Sequence, residues 1–232
     1  MDTIDHDHAD VSGGRLRPAV FGAMDGLVTN IALISGVGGG GVAPHTLVLT
    51  GIAGLVAGAI SMGIGEYTSV STQNDQVAHE VEKERRELEH NPDAEAEEIA
   101  LRWIDRGLPA NLARQVAAAL ATNPEEALRV HAQEELGIDP TEVPSPWVAA
   151  GLSFVCFSIG ALVPLVPYLF GAETLWAALG CGGVGLFVAG ALTARFTNQN
   201  WLRSGARQLI LGGLAAAATY GIGHLIGVSG IG

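Results

Sequence analysis

Hydrophobic and polar residues are strongly segregated along this chain of 232 residues. Five long apolar stretches are separated either by short polar connections or by one long charged block. A run of roughly 20 apolar residues is long enough to cross the hydrocarbon core of a bilayer as a helix. The pattern therefore predicts five transmembrane helices, at approximately residues 18–37, 47–70, 147–170, 175–194 and 206–228.

The charged block lies between the second and third apolar stretches. Of 24 acidic and 12 basic residues in the chain, 17 and 7 fall between Asp75 and Glu142, so this block carries most of the net charge of −12. Such an acidic balance argues against a nucleic-acid partner, because phosphate binding requires clustered Lys and Arg. The block is predicted to be a soluble insert in a membrane protein.

Helix start and stop signals subdivide the block. The second apolar stretch continues without a breaker to His90, which predicts one helix that runs out of the membrane. Two Asn-Pro pairs, Asn91-Pro92 and Asn123-Pro124, provide an N-cap followed by proline at the first helical position. Gly107 and Gly137 are positioned to end helices. In the third apolar stretch, Pro164 and Pro167 predict a kink.

These patterns predict an all-α polytopic membrane protein with five transmembrane helices and a cytosolic helical domain inserted between the second and third. The predicted organisation is a disordered tail at 1–17, which contains His6 and His8, transmembrane helices 1–2 at 18–72, the acidic domain at 73–142, and transmembrane helices 3–5 at 143–232.

Basic residues outside the block set the predicted orientation. Arg15 and Arg17 precede the first span, and Arg195, Arg203 and Arg207 lie between the fourth and fifth. Loops rich in Lys and Arg remain in the cytosol. The N-terminus and the charged block are therefore predicted to be cytosolic, with the C-terminus on the far side of the membrane.

The first two spans contain two acids, Asp25 and Glu66. A carboxylate inside a membrane is expected to face a bundle interior or a cavity and to have a partner. Met62 precedes Glu66 by four residues, on the same helical face. Two oxygen donors and a thioether suit a divalent transition metal. Asp25, Met62 and Glu66 are therefore predicted to line a transport path for such an ion, with Asn30 and Tyr67 as further polar lining. Alternatively, the acids are structural hydrogen-bonding groups and Met62 fills space.

A second group of acids lies in the charged block. Glu84 and Glu87 are three residues apart on one predicted helix, and Glu95 and Glu98 are three apart on the next. If the short turn between the helices folds them together, the four carboxylates resemble the di-metal sites of helical bundles. The alternative is a solvated acidic helix face.

Specific motifs occur in order along the chain: FGAMDGLVTN at 21–30, SMGIGEYTSVSTQ at 61–73, ERREL at 84–88, EELG at 134–137 and PSPW at 144–147. Together they resemble the vacuolar iron transporter family. The resemblance implies a homodimer with five spans per subunit that exports or sequesters cytosolic Fe²⁺ in exchange for protons. Mn²⁺, Co²⁺ and Zn²⁺ are further candidate ions. It implies an antiporter rather than an enzyme, with no cofactor beyond the metal it binds and moves.

The resemblance also assigns residues. Asp25, Met62 and Glu66 match the family's translocation path, while Glu84, Glu87, Glu95, Glu98 and Glu135 match its metal-binding glutamates. Where the family often has two methionines, this chain has His131 and Ala132. His131 and Glu135 are four residues apart, so they form a plausible metal-binding pair.

The Arg-, Ala- and Gly-rich composition is typical of a GC-rich bacterial genome, so we expect an integral protein of the bacterial plasma membrane. The alternative function is a membrane-tethered di-iron ferroxidase or iron store. In that function the Glu84/Glu87 and Glu95/Glu98 pairs form a di-iron centre. Glu87-x-x-His90 matches the Glu-x-x-His element of di-iron bundles, but the sequence contains one copy where such a bundle normally needs two.

Overall fold

A computed structural model describes residues 16–141, 143–197 and 199–228, and all regular secondary structure in these ranges is helical. The all-α class predicted from the sequence is therefore confirmed for the described residues. The predicted disordered tail at 1–17, with His6 and His8, lies outside them except for Leu16 and Arg17. Those two residues begin the first helix.

In chain order the helices are α1 (Leu16–Gly39), α2 (Pro44–His90), α3 (Pro92–Asp105), α4 (Ala110–Leu120), α5 (Pro124–His131), α6 (Pro146–Leu162), α7 (Val166–Leu169), α8 (Leu175–Thr197) and α9 (Trp201–Val228). Within the described ranges, five segments are long and apolar enough to cross a membrane: α1, α2, α6 with α7, α8 and α9. The five long apolar helices predicted from the sequence are thus present. As predicted, α2 continues through the charged sequence to His90.

The third span is interrupted where two prolines were predicted to kink it. A 3₁₀ turn at Val163–Leu165 separates α6 from α7. Pro164 lies inside this turn, and Pro167 lies at the start of α7. Proline has no N–H to donate to the preceding turn, so the regular hydrogen bonds of the helix cannot continue through it.

The chain divides into two compact units. We call the first the apolar unit; its described part runs from Leu16 to Thr68 and from Pro146 onwards. The second, Ser69–Ser145, we call the charged unit. Helix α2 contributes to both, with its residues up to Thr68 in the apolar unit and the remainder in the charged unit.

In the apolar unit α1 packs against α6, α8 and α9. Contact with α6 is very close at Gly26 and Gly160, where an added Cβ would collide with the facing backbone. Small residues at such crossings allow helices to approach and to gain van der Waals contact in a membrane. Most side chains of the membrane-crossing part of α2, in contrast, are exposed or half-buried.

The charged unit follows the predicted start and stop signals. Asn123 caps α5 by accepting a hydrogen bond from the backbone N–H of Glu126 at 3.4 Å. Asn91 occupies the N-cap position of α3 but makes no side-chain cap hydrogen bond, which differs from the prediction. Its side chain donates to Glu87 instead. Gly107 and Gly137 have φ values of 98° and 68°, a backbone conformation that favours glycine.

Helices α3 and α4 share the buried core of this unit. Ile99 and Ala100 from α3 are buried against Ala113 and Ala117 from α4. Trp103 packs on this group from the side. The core fixes one face of α3 against α4, and Glu97 at the side of this face pairs with Arg114 of α4 at 2.8 Å.

Candidate functional site

Three carboxylates and one imidazole converge in the charged unit. Glu84 lies on α2, Glu95 on α3, His131 at the end of α5, and Glu135 in the turn that follows. One ligand atom from each residue lies within 4.8 Å of all the others. We call these four residues the acidic cluster.

His131 lies at the centre of the acidic cluster. Its Nδ1 is 2.8 Å from Oε1 of Glu84, 3.5 Å from Oε2 of Glu95 and 3.4 Å from Oε1 of Glu135. Only 3% of the residue is exposed. His131 therefore places a nitrogen donor among the carboxylates.

A π turn positions the last member of the cluster. Residues Ala132–Leu136 continue α5 in π geometry and end at Gly137. Such turns are rare and are frequent at functional sites. The sequence predicts this segment as the end of an ordinary helix that carries Glu135, the candidate ligand of the EELG motif. No signal in the residues alone predicts the change to π geometry.

Polar atoms facing one another in the cluster lack ordinary partners. Among the described residues, Nδ1 of His131 and Oε1 of both Glu84 and Glu135 are buried atoms that make no hydrogen bond of regular geometry, although Nδ1 lies 2.8 Å from Oε1 of Glu84 and Oε1 of Glu135 lies 3.5 Å from Nη2 of Arg102. Buried polar atoms are nearly always paired, because leaving one unpaired costs free energy. A cation bound among them would satisfy all three at once, and oxygen with imidazole nitrogen suits a divalent transition metal.

The charges of the cluster point to the same chemistry. Burial raises the pKa of Glu84 to about 7, and the charges of Glu135, Glu98 and Glu87 also raise it while Arg102 opposes them. Burial and the charge of Glu84 likewise raise the pKa of Glu95. Carboxylates crowded in this way repel one another, and a bound cation removes that repulsion.

Two of the predicted ligands are not members of the cluster. Oε2 of Glu87 accepts a hydrogen bond from Asn91 at 2.9 Å, and Oε1 of Glu98 accepts one from Arg102 at 2.9 Å. One glutamate of each predicted pair therefore joins the cluster and the other binds a neighbouring side chain. Both remain close enough to affect the pKa of Glu84.

His90 also lies outside the cluster. The residue is exposed, and its Nδ1 lies 2.7 Å from the backbone oxygen of Arg86. Neither residue of the Glu87-x-x-His90 element thus belongs to the acidic cluster. Within the described part of the chain, the acidic cluster offers a single imidazole and three carboxylates.

A second candidate site lies in the apolar unit. Asp25, Met62 and Glu66 line one open cleft of about 340 Å³ between α1 and α2, together with Phe21, Thr29, Gly58, Ser61, Gly65 and Phe157. Oγ1 of Thr29 donates a hydrogen bond to Oδ1 of Asp25 at 3.4 Å. The structure thus brings together the two intramembrane acids and the methionine that helical spacing suggested.

The two further polar residues predicted for the path lie elsewhere. Asn30 is buried, and its side-chain amide donates to the backbone oxygen of Ala161 on α6. The ring of Tyr67 packs against that of Trp147, with centroids 4.7 Å apart. Thr29 and Ser61 supply hydroxyl groups to the cleft.

The chain matches a family of known proteins. The model of the VIT family matches residues 16–224. The chain is 36% identical over 222 residues to a vacuolar iron transporter of Acanthamoeba castellanii, covering 92% of this chain and 79% of that protein. It is 35% identical over 231 residues to vacuolar iron transporter 1 of Oryza sativa subsp. japonica, covering 95% and 90%. Vacuolar iron transporter 1 of Tulipa gesneriana is 33% identical over 215 residues, with 91% and 87% covered.

Proposed function

The chain belongs to the VIT family, and on this premise we propose that it transports Fe²⁺ across a membrane in exchange for protons. In this proposal it is a secondary transporter and not an enzyme, and Mn²⁺, Co²⁺ and Zn²⁺ are further candidate ions. The observation that carries the proposal is the cleft in the apolar unit, in which two carboxylates and a thioether face the same space.

Exchange of metal for protons follows from the chemistry of this cleft. An ionised carboxylate inside a membrane is costly unless a cation accompanies it. Asp25 and Glu66 together neutralise a divalent ion, and Met62 adds a soft donor that a transition metal accepts more readily than Ca²⁺ or Mg²⁺ does. When the metal leaves, protons take its place on the carboxylates and keep them neutral.

The charged unit has a collecting role in this proposal. Its acidic cluster offers one nitrogen and three oxygen donors, and its surroundings are strongly negative. An acidic region of this kind raises the local concentration of cations. The basic residues at the start of α1, the end of α8 and the start of α9 support a cytosolic location for the unit, so the ions it collects would come from the cytosol.

We propose further that two copies of the chain assemble as a dimer in the bacterial plasma membrane. Support for the dimer comes from α2, which contributes Met62 and Glu66 to the cleft but has only Leu47, Gly51 and Ala59 buried. Ile60 and Ile64, on the same turns as the cleft residues, are 49% and 63% exposed. A second copy packed on this face would close the open side of the cleft.

Transport by purified protein in liposomes tests the proposal. With an imposed pH gradient, Fe²⁺ is expected to enter wild-type vesicles, and dissipation of the gradient is expected to stop it. Asp25→Asn is expected to reduce the initial rate at least about tenfold, because it removes a charged ligand. Glu173→Gln is the matched control, since Glu173 is an exposed acid outside the cleft. Equal rates in the wild type and Asp25→Asn would overturn the proposal.

A further inference from the structure

Arg102 lies at the edge of the acidic cluster and binds two carboxylates at once. Its Nη2 is 2.9 Å from Oε1 of Glu98 and 3.5 Å from Oε1 of Glu135. Its Nη1 lies 3.4 Å from the backbone oxygen of Glu134. One guanidinium group therefore bridges a carboxylate inside the cluster and a carboxylate that lies outside it.

The oxygen that Arg102 approaches is one of the candidate metal ligands. Oε1 of Glu135 is also the atom 3.4 Å from Nδ1 of His131. A guanidinium group carries its charge at every physiological pH. A metal ion that binds Glu135 in the cluster therefore has to share this oxygen with a permanent cation or displace it.

The geometry points to Arg102 as an internal competitor of the metal: it occupies Glu98 and Glu135 and thereby weakens metal binding in the charged unit. This inference rests on the proposed function, in which the acidic cluster collects a metal ion and must release it again. A permanent cation beside the ligand oxygens opposes metal binding, because like charges repel. The bridging arginine lowers the affinity of the acidic cluster and keeps the ion exchangeable.

Arg102 affects the affinity in two ways. It places one positive charge beside the ion, and it keeps Glu98 bound to itself rather than to the cluster. Its Nε is a buried atom without a hydrogen-bond partner in the described residues, so the side chain is held mainly by the carboxylates on one side of the guanidinium group. When Arg102 is removed, both Glu98 and Glu135 become available to the metal.

Arg106, the C-cap residue of the same helix, provides a matched control. It also bonds to the π turn, with Nη1 2.7 Å from Oε1 of Glu134. Glu134 is not a member of the acidic cluster. Both arginines thus connect α3 to the same turn, but only Arg102 binds a cluster carboxylate. An effect that arises simply from loosening this connection would appear in both variants.

The test is an anaerobic Fe²⁺ titration of the full-length chain in detergent or nanodiscs, with Asp25, Met62 and Glu66 left intact in every variant. Arg102→Gln and Arg102→Met are expected to bind Fe²⁺ on the order of tenfold more tightly than the wild type, the effect of removing one charge beside a divalent ion in a hydrated site. Arg102→Lys is expected to stay near the wild-type affinity, and Arg106→Gln is expected to leave it unchanged. The double variant Arg102→Gln/Glu98→Gln is expected to lose part of the increase in Fe²⁺ affinity that Arg102→Gln produces alone.

The sign of the change separates competition from a structural role. Unchanged or weaker binding by Arg102→Gln and Arg102→Met with wild-type helix content would overturn the inference, and so would loss of the fold in both. A double variant that keeps the whole gain would overturn the role given to Glu98. Glu84→Gln in the same titration tests the metal site itself. If it binds Fe²⁺ as the wild type does, the collecting role fails, whatever the arginine variants do.

Discussion

Replacing Glu84 by Gln is predicted to stabilise the charged unit at alkaline pH in the absence of metal. Burial, followed by the charges of Glu135, Glu98 and Glu87, raises the pKa of Glu84 from 4.5 to about 7. The folded unit therefore binds a proton that the unfolded chain has already released. Its free energy of unfolding falls as the pH rises from 4.5 to about 7.

The size of this effect follows from the two pKa values. A rise from 4.5 to about 7 corresponds to at most about 3 kcal/mol of destabilisation once Glu84 is ionised in both states. The side chain is only 13% exposed, so screening by solvent is limited. Glutamine keeps the shape of the side chain and removes the charge. Glu84→Gln should therefore recover most of this free energy above pH 7 and little of it near pH 4.5.

Hydrogen–deuterium exchange of the full-length protein in a chelator measures the effect locally. Peptides from α3 and α5 in Glu84→Gln are expected to exchange up to about a hundredfold more slowly than the wild type at pH 8, after correction for the intrinsic rate. The difference should be much smaller at pH 5. Added Fe²⁺ should protect the wild type and leave the variant unchanged. Glu89→Gln is the control, because Glu89 is an exposed glutamate on the same helix.

Faster exchange in Glu84→Gln at pH 8 in the chelator would refute the reasoning. It would mean that the ionised Glu84 carboxylate stabilises the metal-free unit, despite its burial and its acidic neighbours. An equal effect of Glu89→Gln would assign any gain to the overall acidic charge rather than to the cluster.

Two further changes test packing and ligation. Gly160→Ala is expected to destabilise the apolar unit by about 1–3 kcal/mol, because the new Cβ meets the backbone of Ala23. Thermal unfolding in detergent measures this loss of stability. Gly151→Ala is the control and should be near neutral, because a Cβ at Gly151 meets open space. His131→Ala is expected to weaken Fe²⁺ binding at least about tenfold in the anaerobic titration, since it removes the nitrogen donor from the acidic cluster. His90→Ala should not change that affinity, and equal losses in the two histidine variants would contradict the ligand role of His131.

The sequence by itself determined the class and the main elements. Membrane helices are predictable because burial in lipid requires a long apolar run, and this requirement is local to each segment. The helix boundaries near Asn91-Pro92 and Asn123-Pro124 could also be predicted from the sequence, because capping and the missing proline N–H depend only on adjacent residues. The grouping of Met62 with Glu66 followed from helical spacing on one helix.

Tertiary structure alone decided which side chains meet. Spacing placed Glu84 with Glu87, and Glu95 with Glu98, yet only the first of each pair enters the acidic cluster. Asn30 was a candidate for the transport path because it is a polar residue in the first span, whereas packing directs its amide to the backbone of α6. The contact of Arg102 with Glu135 in the π turn likewise depends on how α3 packs against the segment after α5. Helical periodicity determines which residues share a face, but the rotation of that face towards its neighbours depends on packing across the whole unit.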